Sequence, residues 1–294
     1  SGGEPGDYFG DDVALDGGTA LISAPGEDTT EDSNTGAVYV FTGSGGSWTK
    51  QARLTADDVA AEDWFGGSGA LESGTAVIGA AYADLPDKEN AGAAYVFTGS
   101  GTMRTQRKKF TAAGGAADDQ FGSSVAISGG SILVGAHYQD YKGSSAGMAY
   151  VFTGGGSTWT QRKNPIAADG TAGDEFGDSV ALSGGTALVG APGDSYFEDT
   201  YRGSAYFHSF TTELASGVTR IQGANRYLTA VAASKRGFPI GAPAVVIATG
   251  ENWPDALGGS ALAGAAGGPL LLTRKDAMPA EVTAEVRRLG AVKA

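Results

Sequence analysis

The chain has 294 residues, 41% of them hydrophobic, with 49 Gly, no Cys and a formal net charge of −13. Its length exceeds one average domain, and the lack of Cys excludes disulfides, thiolate metal sites and cysteine nucleophiles. Residues 1–210 carry 27 acids against 11 bases and the remainder 6 against 9, so nucleic acid is excluded as a partner of the first part.

Taken in order, the chain is an array. The tetrapeptide Asp-x-Phe-Gly places its Phe at Phe9, Phe65, Phe121 and Phe176, a period of 56, 56 and then 55 residues. After each Phe come an apolar triplet, a tight turn such as Asp16-Gly17-Gly18 or Glu72-Ser73-Gly74, and a second apolar run. That run ends in Ser23-Ala24-Pro25, Gly79-Ala80-Ala81, Gly135-Ala136-His137 or Gly190-Ala191-Pro192. A polar loop leads to a third run, Tyr39-Val40-Phe41, Tyr95-Val96-Phe97, Tyr150-Val151-Phe152 and the altered Tyr206-Phe207-His208. A fourth run covers Trp48 to Leu54, Met103 to Phe110 and Trp159 to Ile166, with no counterpart in the fourth copy. Four short runs bounded by Gly, Asp and Ser predict four antiparallel strands per repeat, which makes each repeat a propeller blade. The fold class is an all-β propeller of four visible blades, open to membership of a larger ring. Each Phe is expected in the core.

The loops between strands two and three hold Glu27, Asp28, Glu31 and Asp32 in the first copy, Asp84, Asp87 and Glu89 in the second, Asp140 in the third, and Asp194, Glu198 and Asp199 in the fourth. Antiparallel strands alternate in direction, so these loops and the crossings between blades leave the same face. That face collects 22 of the 27 carboxylates, and these loop acids are the candidate binding residues for a cation or a cationic partner. Solubility is the bland alternative. The bases Lys50, Arg53, Arg104, Arg107, Lys108, Lys109, Arg162 and Lys163 fall on the fourth strands, where charge protects an exposed edge. Asp7, Asp63, Asp119 and Asp174, each two before the Phe, read as acceptors of following backbone N–H groups in a turn rather than as metal ligands.

Phe-Gly, Gly-Ala-Pro and Gly-x-x-Tyr-Val-Phe, registered four times over residues 5 to 210, resemble the FG-GAP repeat of integrin α-subunits and bacterial surface proteins. The resemblance implies a propeller, usually of seven blades, so four copies imply a fragment or a small ring. It also implies Ca²⁺ in loops between strands one and two. Here those loops are short Gly turns with at most one carboxylate, too few for an oxygen cage. No cofactor is expected; calcium is compatible with the acidic face but not with those turns.

From Val218 the register ends and an α/β pattern begins. Asn225 to Lys235 predicts a helix, Ala244 to Ala248 a buried strand, Asp255 to Ala266 a second helix, Leu270 to Thr273 a strand and Pro279 to Leu289 a third helix. The resulting domains are 1–214 and 215–294, with the boundary between Leu214 and Val218. Arg220 to Tyr227, Gly250 to Leu257 and Pro269 to Thr273 resemble the type-two cell wall-binding repeat of Gram-positive surface proteins. Arg220, Asn225, Arg226, Tyr227, Pro254 and Asp255 carry the motif, and Asn225 stands where the family usually has Asp. The resemblance implies three such repeats around a pseudo-threefold axis holding an anionic wall polymer. One copy is present here, and it stops where the family's next strand would begin.

Catalysis has little support in the sequence. Only His137 and His208 exist, one in a loop at the place of the Pro of other copies and one in an altered third strand, and adjacent acids such as Asp118 and Asp119 read as solvated. The expected function is a non-catalytic binding or adhesion propeller, secreted and attached to the cell wall, with an unknown protein or glycan ligand. No apolar run is long enough to span a membrane, and the start at Ser1-Gly2-Gly3 predicts a processed or excised piece. The alternatives are a structural spacer and an accessory propeller of a hydrolase whose catalytic domain lies outside the chain.

Overall fold

A computed structural model describes residues 3–162, 164–194, 202–209, 219–221, 225–249 and 268–290. Blade one consists of β1 (Val13–Asp16), β2 (Thr19–Ala24), β3 (Ala37–Ser44) and β4 (Ser47–Leu54). Blade two has β5 (Ser68–Glu72), β6 (Thr75–Ala80), β7 (Ala93–Ser100) and β8 (Met103–Phe110). In blade three β9 (Val125–Ser128), β10 (Ser131–Ala136), β11 (Met148–Gly155) and β12 (Thr158–Gln161) follow the same plan. Blade four holds β13 (Val180–Ser183), β14 (Thr186–Ala191), β15 (Ser204–Ser209) and β16 (Thr219–Ile221). Every blade is one antiparallel sheet with its strands in chain order. The third fourth-strand is shorter than the sequence pattern predicts.

Strand β16 corrects the reading that the fourth copy lacks an outer strand. Ala205, Tyr206 and Phe207 pair with Ile221, Arg220 and Thr219. The outer strand was not legible because it starts after a longer interval than in the other blades and lies inside the wall-repeat motif. The boundary expected between Leu214 and Val218 lies outside the described residues.

The innermost strands β1, β5, β9 and β13 stand side by side in sequence. Blades therefore cover each other's faces, which is why middle strands are apolar on successive residues: Tyr95, Val96 and Phe97 of β7 are all buried. Phe65, Phe121 and Phe176 fill the seams edge-on against Tyr95, Tyr150 and Tyr206, with ring centroids 5.5, 5.1 and 5.2 Å apart. Phe9 keeps the same edge-on contact, with Tyr39 at 5.6 Å, but it is 52% exposed, and Val13 and Leu15 near it are exposed as well. The expectation that all four Phe side chains are core is thus corrected at the first.

Specific hydrogen bonds close each seam. Ser68 and Ser124 donate their hydroxyls to the carbonyls of Gly122 and Gly177 in the next blade, at 2.8 and 2.7 Å. Blade one has Asp12 in that place, and its carboxylate accepts the N–H of Gly69 at 2.5 Å. The single carboxylates of the strand-one-to-two turns also reach across: Asp16 accepts the N–H of Ser73 at 2.6 Å and Glu72 that of Gly129 at 2.8 Å. Backbones approach so closely that Gly92, at φ +82°, has Phe121 O only 2.2 Å from where a Cβ would sit. Only Gly fits such a place.

The C-terminal module contains α1 (Arg226–Gly237), the parallel pair β17 (Val246–Thr249) and β18 (Leu270–Thr273), and α2 (Ala280–Leu289). The Asn225 side chain caps α1 by accepting the N–H of Leu228 at 3.0 Å, the role an Asp would have. Pro279 is the residue before α2 rather than its first. The helix predicted over Asp255 to Ala266 lies outside the described residues. Val231, Val245, Leu271, Val282 and Leu289 form the module's core. Between the helices, buried Glu285 accepts from Ser234 Oγ and Arg288 Nη2, both at 2.6 Å.

Candidate binding face

The two-to-three loops and the blade crossings do share one face, and they are knitted together there. The crossing residue Trp64 donates its N–H to Asn34 O at 3.0 Å, Gln120 to Asn90 O at 3.2 Å and Glu175 to Ser145 O at 3.0 Å. Glu62 gathers Ser33 Oγ, Asn34 Nδ2 and Trp64 Nε1, and these donors hold its carboxyl below the usual range.

The predicted loop acids that the structure describes fall into three groups. Asp28, Asp84 and Asp140 each fold their own loop by accepting the N–H of Asn34, Asn90 and Ser145, all at 2.8 Å. Glu27 pairs with Arg53 and accepts from Tyr39, both at 2.6 Å, and Asp194 accepts from Tyr206 at 3.0 Å. Glu31, Asp32, Asp87 and Glu89 are exposed. Glu198 and Asp199 lie outside the described residues. Among the described residues no group of three or more acids or histidines is placed to hold a metal ion.

The Asp of each Asp-x-Phe-Gly is buried and turns its carboxylate backwards. Asp7, Asp63, Asp119 and Asp174 accept the N–H of Glu4, Ala60, Ala116 and Thr171, three residues earlier, at 2.6–2.8 Å. The turn role is as expected, but the donor precedes the Asp instead of following it. Burial raises Asp63 and Asp119 above the ordinary carboxylate value. Asp12 and Asp178 are pushed up to about 6, again by burial first.

The residue between Asp and Phe is left-handed in every copy: Tyr8, Trp64, Gln120 and Glu175 have φ of 52–55°. This conformation projects the side chain onto the loop face beside the innermost strands. There Tyr8, Trp64 and Tyr82 form a row with ring centroids 5.9 and 6.4 Å apart. Tyr138 holds in blade three the place of Tyr82 in blade two, and its hydroxyl is raised by burial and then by Glu175, Tyr82 and Asp178; His137 lies against it at 4.0 Å. A depression of about 250 Å³ opens between these groups, lined among others by Asp11, Trp64, Tyr82, Gln120, Ser123 and His137. A second, of about 420 Å³, shares Trp64 and Tyr82 and adds Glu62 and Asn90. Burial lowers His137 to about 4, so it is neutral at physiological pH.

Sequence reading missed this aromatic row. Its members come from two places in the repeat, the x of Asp-x-Phe-Gly and the residue after Ala-Pro, and no two blades share the same pair of aromatics. The available signal was exposure: aromatics in polar turn segments serve no core.

Comparison with known families now decides the class. Residues 1–41, 48–97, 105–152 and 159–207, more than half of the chain, match the FG-GAP repeat. The chain belongs to the FG-GAP repeat family. Residues 220–292 match cell wall binding domain 2, so the FG-GAP blades are joined to a module of cell wall association. No curated protein matches the chain. No helix among the described residues is long and apolar enough to cross a membrane.

Of the wall-repeat residues, Arg220 lies in β16 and the exposed Arg226 opens α1. Tyr227 packs on the module's core with the Arg274 guanidinium 5.7 Å from its ring. Pro254 and Asp255 lie outside the described residues. The match begins at Arg220, within the outer strand of blade four, so propeller and wall module share that segment.

Proposed function

We propose that the protein is secreted and works as a non-catalytic, wall-attached binding propeller. Its C-terminal module holds an anionic wall polymer and its loop face presents the ligand site. The observation that carries this reading is the coincidence on one face of an acidic rim and an exposed aromatic row around two adjoining depressions. Arg226, Arg236, Arg274, Lys275, Arg287 and Arg288 give the wall module its basic character, which suits an anionic polymer. One wall repeat supplies one part of the threefold arrangement implied by the family, so its affinity alone is weak.

Sedimentation of the full chain with purified Gram-positive walls tests the attachment. Weak, salt-sensitive retention is the expected result. Retention that resists high salt and withstands Arg226→Ala would overturn the electrostatic account of the wall site. Thermal unfolding with millimolar Ca²⁺ or a basic protein tests the loop face, since a ligand of the folded state raises the melting temperature.

A further inference from the structure

We propose that the paired depressions around Trp64 and Tyr82 bind a neutral oligosaccharide, one sugar ring on each side of this aromatic pair. The inference rests on the reading of the loop face as the binding face and names its ligand class.

Three observations point to a sugar. The first is shape: two shallow depressions meet on a common wall of Trp64 and Tyr82, which suits consecutive rings of a chain better than one compact molecule. The second is the apolar component. Tyr8 is 59% exposed and Tyr82 43%, and their rings offer flat faces to the C–H face of a pyranose while their hydroxyls keep a polar edge in water. The third is unpaired polarity. Ser123 and His137 line the first depression, and their buried Oγ and Nδ1 atoms have no hydrogen-bond partner among the described residues. Buried polar atoms are normally satisfied, and sugar hydroxyls, donors and acceptors at once, would satisfy both. Gln120 adds an amide at the same wall.

Charge selects among sugars and against other ligands. Carboxylates dominate this face, so a phosphate- or uronate-bearing polymer is repelled. A cationic peptide is disfavoured for a different reason: Asp11 is the single carboxylate lining the first depression. Glu62 at the second is already occupied by Ser33, Asn34 and Trp64. His137 stays neutral, which suits an uncharged partner.

The test uses the full chain and isothermal titration with cellotetraose, chitotetraose, mannotetraose and maltotetraose, beside polygalacturonate and tetralysine. Trp64→Gln places in blade two the residue that blade three carries as Gln120 and so preserves the fold; Tyr82→Ala removes the other half of the wall. At least one neutral tetrasaccharide is expected to bind, with affinity at least about tenfold weaker in each variant at unchanged melting temperature. Failure of all four neutral sugars overturns the proposal, as does sugar binding insensitive to both variants. If tetralysine binds instead and loses affinity in Trp64→Gln, the sugar assignment falls while the loop face stands as the binding face. If neither binds and Ca²⁺ and basic protein also leave the melting temperature unmoved, both readings fall together.

Discussion

Phe121 and Phe9 hold the same place in the repeat and differ only in what lies over them. Phe121 is fully buried between Tyr150 and Phe152, whereas Phe9 has solvent on one side. Truncation of a buried Phe costs its transfer energy plus a cavity, about 3 to 5 kcal/mol, so Phe121→Ala should lose that much stability in urea unfolding. Phe9→Ala should lose less than about 1 kcal/mol. Titration follows the same logic of cover. Asp178 is raised to about 6 by burial and by Glu175, so the folded state binds its proton more tightly than the unfolded state does. Its contribution is therefore full below the ordinary carboxylate value of 3.8 and is lost as pH rises through about 6. Asp178→Asn should leave stability unchanged at pH 3.5 and raise it by about 1 to 3 kcal/mol at pH 7. Glu285 runs the other way. Burial raises it, but Arg288 and Ser234 outweigh burial and hold it low, so its stabilisation is present above its unfolded value and lost as pH falls.

At the scale of the element, each blade is defined by its period and each seam by its backbone. Replacing Gly92 by Ala meets two obstacles at once, a φ of +82° and a Phe121 carbonyl at 2.2 Å. A loss of about 2 kcal/mol or more is expected in thermal or urea unfolding, in contrast to exposed Gly114→Ala, which shares the positive φ but meets no atom. The strands themselves were legible because four registered copies repeat the same apolar runs; Met103–Phe110 was placed to the residue. The seam contacts were not. Ser68 reaches Gly122 and Glu72 reaches Gly129 over separations of 54 and 57 residues, and a repeat of one period says that neighbours touch without saying which atoms do. For the candidate site the balance differs. The shared acidic face followed from strand alternation, but loop folding by Asp28, Asp84 and Asp140 takes up carboxylates that the sequence offered as ligand contacts. The aromatic row crosses seams and has no periodic signature at all.

For the whole molecule, the shared segment at residues 219–221 matters most. Strand β16 completes blade four, and α1 follows within a few residues, its Gly237 lying near the Phe207 ring of β15. A chain shortened to residue 214 should therefore unfold at a lower temperature than one shortened to residue 224, by several degrees, because only the second keeps the outer strand. Equal melting temperatures would place the independent propeller at 1–214. Coupling of this kind also bears on attachment. Load applied to the wall module would reach the propeller at β16 and be borne by its hydrogen bonds to β15.

The bare flank of blade one has a consequence for how the array opens. Repeats that contact only their neighbours have stabilities that add as intrinsic and nearest-neighbour terms, and in this 294-residue chain blade one leaves Phe9, Val13 and Leu15 exposed where Phe65, Phe121 and Phe176 of the later blades are buried. Its local opening therefore needs less free energy than theirs. Amide exchange should be fastest in β1 and β2 and slower in β6, β7, β10 and β11, a gradient along the chain that hydrogen-exchange mass spectrometry reads directly.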